Sequence, residues 1–280
     1  MKFLPAFLLL ACSTSFCFAG NLPDTARADA DTLGARQLLF SVDYLSDKTY
    51  LGRENIVSDK YVATALSYVA PSGFFSSLSA YKIVSSENKF DEADITAGWD
   101  FRIFNSLETM LSYSHFFFSR NSSQPRSTLR NNFEASFMKE YRWFTPAMYF
   151  DMNFGRAAKP DFSIRFEISR DFEFDSLFTK GNDALIISPN ASIAAATLNF
   201  YSAFLRDSTQ GRTIQNIGVN VNSNFQLASI DLALPVEYNI GKFMLRPEIR
   251  HTIPLGDNSK SDNKEVTYFI FSVGYFLIDK

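Results

Sequence analysis

From Ala93 to Phe118 the chain alternates between apolar and polar residues, and that period limits what it can become. Ala93, Ile95, Ala97, Trp99, Phe101 and Ile103 share one face of an extended chain; Asp94, Thr96, Gly98, Asp100 and Arg102 share the other. Successive side chains of a strand point to opposite sides of the sheet, so a period of two predicts a strand with one apolar and one polar side. Asn105-Ser106 makes a tight reversal. After it Leu107, Thr109, Leu111, Tyr113 and Phe117 oppose Glu108, Met110, Ser112 and Ser114.

The same period recurs along the chain. A first strand starts near Gln37, with Leu38, Phe40, Val42 and Tyr44 on one face. A polar connection over 46–60 leads to strands at 61–70 and 74–84, joined by the tight turn Pro71-Ser72-Gly73. The hairpin above supplies the fourth and fifth. A sixth strand is expected over 131–143, a seventh over 148–154 and an eighth over 162–169, where Phe162, Ile164, Phe166 and Ile168 oppose Ser163, Arg165, Glu167 and Ser169. The stretch 171–189 reads as an irregular connection with a short helical turn at 175–179. A ninth strand is placed at 190–205, a tenth within 213–240, an eleventh from Phe243 and a twelfth from Val266 to Ile278. Because 213–240 is long enough to hide a further hairpin, ten and fourteen strands remain alternatives.

The connections sort by parity. Those after strands two, four, six and ten are short; those after strands one, three, five, seven, nine and eleven are long and polar. Only the one after strand eight departs. Short turns on one side and long loops on the other, with an even strand count, are the pattern of a closed barrel in a membrane. The 30 Phe and 12 Tyr support this, since they accompany a mean hydropathy of only −0.08. That mix suits apolar strand faces turned outward and polar faces turned inward. The expected fold is an all-β, closed, antiparallel up-and-down transmembrane barrel of about 12 strands.

Residues 1–20 read as an export signal: Lys2, an apolar run from Phe3 to Ala11, and a small-residue cleavage point near Ala19-Gly20. Leu9-Leu10-Ala11-Cys12 also allows a lipoprotein signal. Both cysteines, Cys12 and Cys17, lie in this segment, so cleavage removes disulfides, thiol catalysis and thiolate metal sites from the mature chain. Residues 21–36 read as a polar leader and 37–280 as the barrel. The net charge of −3 gives no reason to expect nucleic acid as a partner.

With its strand pattern and its last strand, the chain resembles porin-like outer-membrane β-barrel proteins of Gram-negative bacteria. Ser272, Gly274 and Leu277 fit the polar-x-Gly-x-x-apolar spacing read by the barrel-assembly machinery, although the chain ends in Asp279-Lys280 and not in an aromatic residue. The resemblance implies the outer membrane as location, its lipid and the assembly machinery as partners, a monomer, and passive passage of small solutes. A structural or assembly barrel that binds a periplasmic or surface partner is the alternative, and a lipid hydrolase a minor one.

On this register the polar faces define a lumen. Arg246, Glu248 and Arg250 are the leading candidates for a constriction, followed by Arg102 and Arg142, with Asp100 and Glu108 beside them. Inward charges can line a pore or pair across strands and fill the interior; pairing is expected for most. Twelve strands about 4.8 Å apart, tilted about 40°, enclose a backbone radius of roughly 12 Å. Long side chains use much of that width, so a narrow or loop-plugged passage is expected. No catalytic residue, cofactor or metal site is read. His115 and His251 fall near the outer rim, and neither is followed two residues later by a serine.

Overall fold

In a computed structural model of the chain, the described residues are 36–54, 60–84, 90–104, 106–119, 122, 124–155, 159–179, 183–200, 224–255 and 264–279. The export signal, Cys12 and nearly all of the leader lie outside them, as do Asn105 and most of the Asn-rich stretch before the tenth strand.

Sixteen strands are described: β1 (Gln37–Leu45), β2 (Thr49–Tyr50), β3 (Arg53–Glu54), β4 (Tyr61–Val69), β5 (Phe74–Ile83), β6 (Phe90–Ile103), β7 (Leu107–Phe118), β8 (Leu129–Met138), β9 (Thr145–Gly155), β10 (Asp161–Ser169), β11 (Phe172–Asp175), β12 (Asp183–Ile187), β13 (Asn190–Ala196), β14 (Gln226–Ile240), β15 (Phe243–Pro254) and β16 (Val266–Asp279). Twelve of them form a closed antiparallel ring in the order β1-β4-β5-β6-β7-β8-β9-β10-β13-β14-β15-β16, and β16 returns to pair with β1, from Gln37↔Asp279 to Leu45↔Ile270. Closure gives every strand two neighbours, which is how a sheet satisfies its backbone polar groups in hydrocarbon.

The expected twelve strands are therefore present, with three differences. The eighth connection is not irregular and has no helical turn among the described residues. Residues 172–175 and 183–187 pair with each other as β11 and β12, from Phe172↔Ile187 to Asp175↔Ala184. β12 continues along β14, Ile187↔Val236 to Asp183↔Ile240. This hairpin prolongs β10 and β13 past the short-turn end, so the eighth connection is itself a turn with a long stem. Pro189, which has no N–H to donate, interrupts the alternation and masks the continuity. It also explains the 15 residues of β14, which pair first with β13 and then with β12. The sixth strand stops at Met138, not 143, and Lys139 to Phe144 form the turn, closed by Tyr141 N–H donating to Phe144 O at 3.1 Å. The ninth strand stops at Ala196, not 205.

Side-chain parity follows the expected faces. Along β10 the odd positions are buried inward and Phe162, Ile164, Phe166 and Ile168 are exposed on the outside. On β6 and β7, Ile95, Trp99, Phe101, Leu111, Tyr113 and Phe117 point outward. Phe116 is fully buried on the inner face, between the outward His115 and Phe117. The ring thus turns an apolar wall to the outside and a polar one to the inside, the reverse of a water-soluble barrel.

Ile164→Arg places a charge midway along that outer wall. It is expected to lower the unfolding free energy measured in lipid vesicles by about 2–4 kcal/mol; a loss under about 0.5 kcal/mol would mean that this face does not meet hydrocarbon.

Candidate functional site

Between the inward rings of Tyr61 and Tyr81 near the long-loop end and that of Phe75 nearer the short turns, the sequence puts mostly small residues on one half of the ring and long ones on the other. β4, β5, β6 and β7 turn Ala65, Ser67, Ser77, Ser79, Thr96, Gly98, Ser112 and Ser114 inward. Half a ring away, β10, β14 and β15 turn Arg165, Glu167, Glu237, Glu248 and Arg250 inward. The small wall leaves the space that the long side chains need. Gly98 marks how tight the small wall is: a Cβ there would lie 2.5 Å from the Phe75 ring and 2.4 Å from Leu111 O.

Arg246, Glu248 and Arg250 face the lumen together, as expected from their spacing. Arg250 donates from Nε at 3.0 Å and from Nη2 at 2.5 Å to one Glu248 carboxylate oxygen. Arg246 Nη2 lies 3.7 Å from the other. Glu248 and Arg250 are 4% and 2% exposed, so this pair is a buried one whose charges answer each other. Next to it on β14, Asp231 accepts hydrogen bonds from Thr252 Oγ1 at 2.5 Å and Ser229 Oγ at 3.0 Å. On β10, Arg165 lies over the Tyr149 ring at 3.8 Å.

Of the remaining candidates, Arg102 and Glu108 pair across the β6–β7 hairpin at the short-turn end, 2.8 Å apart and partly exposed. Such a pair contributes about 0.2–1 kcal/mol. Asp100 lies on the same inward face, partly exposed. Arg142 is not a lumen residue: it is exposed in the turn after β8, 5.1 Å from the Trp143 ring. Lys139, in the same turn, lies 5.3 Å from the Tyr141 ring, at the membrane border where a lysine on the outer wall can reach water.

A segment read only as a polar loop also enters the interior. After β1 the chain does not leave the barrel. Residues 46–54 turn inward at the long-loop end, and Lys48, Thr49, Tyr50 and Leu51 are all buried. Leu51 and Gly52 adopt positive φ, +49° and +76°, which makes the sharp bend between β2 and β3. Lys48 Nζ lies 2.6 Å from Glu92 Oε2 on β6, with the two side chains 3% and 0% exposed. The Tyr81 and Tyr61 rings lie 4.5 Å and 5.4 Å from the same ammonium. Gln124, from the loop before β8, donates to Asp91 at 2.6 Å and to Glu92 at 2.9 Å.

The other end of the segment sits across the ring. Tyr50 and Leu51 enter a cluster with Leu129, Ala194, Ala196, Leu198, Phe200 and Ala228, and the Tyr50 and Phe200 rings meet edge to face at 4.6 Å. Asp161 fixes that pocket: its carboxylate accepts the N–H groups of Asn199 at 2.7 Å and Phe200 at 2.8 Å, and the Thr197 hydroxyl at 2.8 Å. At Gly52 an added Cβ would meet Ala228 O at 2.8 Å and Ser229 Cβ at 3.1 Å, so the bend is pressed against β14. β6 and β14 stand opposite each other in the ring. Four residues of extended chain reach roughly 13 Å; the Lys48 side chain and the wall side chains that meet the segment at either end, Glu92 on one side and Ala228 and Leu129 on the other, supply the rest of the diameter. The segment is a plug, tied at one side by an ion pair and at the other by apolar contacts. The sequence carried a trace of it in Tyr50-Leu51-Gly52, an apolar step inside an otherwise polar connection.

The two histidines lie on the outer wall near the long-loop end. His115 Nδ1 is 2.8 Å from Asn131 Oδ1, which also accepts the Tyr113 hydroxyl at 2.6 Å. His251 Nδ1 is 2.8 Å from Thr267 Oγ1. No group of acids, histidines and cysteines able to hold a metal occurs among the described residues.

Among solved structures the chain is similar to the KdgM porin, at 9% identity and a TM-score of 0.48, covering 84% of this chain and 98% of that one. It is similar to the NanC porin, at 8% identity and 0.48, covering 85% and 98%. A third likeness is to an outer membrane channel from Pseudomonas putida, at 9% identity and 0.49, covering 87% and 96%. No protein-family model and no curated protein matches the chain. The fold rests on the strand pairing above, and what the chain does has to be read from its interior.

Removing one member of a buried ion pair leaves the other charge uncompensated. Lys48→Met is therefore expected to cost about 3–5 kcal/mol in unfolding free energy, and adding Glu92→Gln to recover most of that loss. A loss in the double variant equal to the sum of the two single-variant losses would show that Lys48 and Glu92 are not coupled.

Proposed function

We propose that the chain is an outer-membrane barrel that forms a narrow, plugged, porin-like channel for the passive passage of small solutes. One observation carries this: the inner wall carries polar and ionisable groups from end to end, and among the described residues a short segment crosses it at the long-loop end. β2 and β3 pair only with each other, through two residue pairs, and not with the wall. The segment is joined to the wall strands by side-chain contacts and not by a strand ladder, which lets it leave without breaking the ring. On this reading the short turns face the periplasm, the long loops face outward, the apolar wall meets outer-membrane lipid, and β16 is the strand that the assembly machinery reads. The chain acts as a monomer, with Glu248 and Arg250 as the narrowest charged level below the plug.

The reading assigns no catalytic step. A hydrolase on the outer wall needs a nucleophile in reach of its base. His115 is flanked on its own face by Tyr113 and Phe117, and its ring contacts that of Phe117 at 4.6 Å.

Single-channel recording in planar bilayers tests the proposal. Wild-type protein is expected to give small, flickering steps, and a variant in which residues 47–54 are replaced by a Gly-Ser linker to give larger, steadier ones. Absence of resolvable steps from both proteins at high salt would overturn it.

A second reading, a barrel that binds a partner, is favoured by the hairpin β11–β12. It projects past the ring with Phe172, Phe174, Leu177 and Phe178 exposed, Phe178 at 81%. Phe174→Ser with Phe178→Ser is expected to leave conductance unchanged if the hairpin serves only to anchor the barrel at the membrane border. Loss of a co-purifying protein in that double variant would instead support the partner reading.

A further inference from the structure

The plug is held by a cage that already contains an amine. Lys48 Nζ has a carboxylate oxygen of Glu92 at 2.6 Å and two tyrosine rings, Tyr81 and Tyr61, at 4.5 Å and 5.4 Å. Both rings are within the roughly 6 Å over which a cation is attracted to an aromatic face. The host and the guest come from different parts of the fold. Tyr61, Tyr81 and Glu92 stand on adjacent wall strands, β4, β5 and β6, with Tyr81 directly opposite Glu92 in the ladder. Gln124 holds the Glu92 and Asp91 carboxylates through its own amide. Only the guest belongs to the short plug hairpin.

We propose that this cage is a binding site for the alkylammonium group of small organic cations, which compete with Lys48 for it and so release the plug. The cage persists when Lys48 leaves, because its walls are fixed by strand pairing and by Gln124. Its chemistry selects the ligand. A carboxylate that meets Nζ at 2.6 Å takes an N–H donor, two aromatic faces take a positive charge and an alkyl stem, and an anion is repelled by both Glu92 and Asp91. The inner wall beside and below it carries further acids, Asp94, Glu134, Asp151 and Asp231, together with Arg165 and Arg250. Binding at the cage stands by itself; release of the plug rests on the channel reading.

Chemical rescue tests the binding. Lys48→Ala removes the stem and ammonium and leaves a space that n-propylammonium fits. The melting temperature of this variant in detergent is expected to rise with n-propylammonium chloride and not with sodium chloride at equal ionic strength. The rise should be lost when Glu92→Gln is added, and wild-type protein should not respond at the same concentrations. A response equal to that of sodium chloride, or one that survives Glu92→Gln, would overturn the proposal. If Lys48→Ala does not fold, wild-type channels decide. n-Butylammonium on the outer side is expected to raise the frequency of plug openings several-fold over sodium at equal ionic strength, and an unchanged frequency would overturn it. Lack of any conductance would sink the channel reading and with it the release of the plug; the same melting titration on Lys48→Met, whose side chain keeps the cage filled, should then show no response to n-propylammonium, and a response there would overturn binding at the cage.

Discussion

A strand in hydrocarbon finds no water for its N–H and C=O groups, so each must be paired within the protein. For this chain the pairing is completed by one contact, β1 with β16, the first and last strands of the ring. Once the ring is closed, the two faces of every strand have fixed surroundings. Ile95, Trp99 and Phe166 face outward without a protein partner layer, and Asp94, Glu167 and Arg250 face a space about two dozen ångströms across at the backbone. The apolar surface that would be a liability on a soluble domain is the surface a membrane protein requires.

Closure also creates the interior problem that the rest of the sequence solves. A ring of this size is too narrow for long side chains from every strand and too wide to be filled by short ones. The solution is unequal: at mid-height mostly serines and alanines on β4 to β7, arginines and glutamates on β10, β14 and β15. The charged groups answer one another where they can, as Arg250 does with Glu248. At the long-loop end the gap is crossed by the chain itself. The ion pair of Lys48 with Glu92 lies on one side, and Tyr50 and Leu51 lie against Phe200 and Leu198 on the other. Asp161 keeps that apolar seat in place by satisfying the N–H groups of Asn199 and Phe200, which would otherwise be left unpaired in a buried corner.

The period of two made most of the ring legible, since a one-residue error would have put Arg165 and Glu167 in lipid. The inward position of Arg246, Glu248 and Arg250 followed from the same rule. What the period did not show was where alternation is interrupted without loss of pairing. Pro189 hid the continuity of β12 and β13, so the hairpin β11–β12 looked like an irregular loop. Arg142 kept the right parity past the end of β8 and was placed in the lumen, although the strand had already turned. The plug was invisible to the same reasoning because its contacts are long-range. Nothing local to Lys48 names Glu92 as its partner, 44 residues on, and nothing local to Tyr50 names Phe200. Periodicity reports what a strand faces; it does not report which loop folds back into the space that the strands enclose.

A plug that closes the interior must stop the current when it is held in its seat. Cysteines in place of Tyr50 and Phe200, joined by a short bifunctional thiol reagent, would fix the plug in its seat, where the two native rings are 4.6 Å apart. Current through the same protein in a planar bilayer, recorded before and after joining, is the most direct measurement. The account predicts that channel openings disappear on joining and return when a cleavable linker is reduced. Openings of unchanged size and frequency in fully joined protein would contradict it.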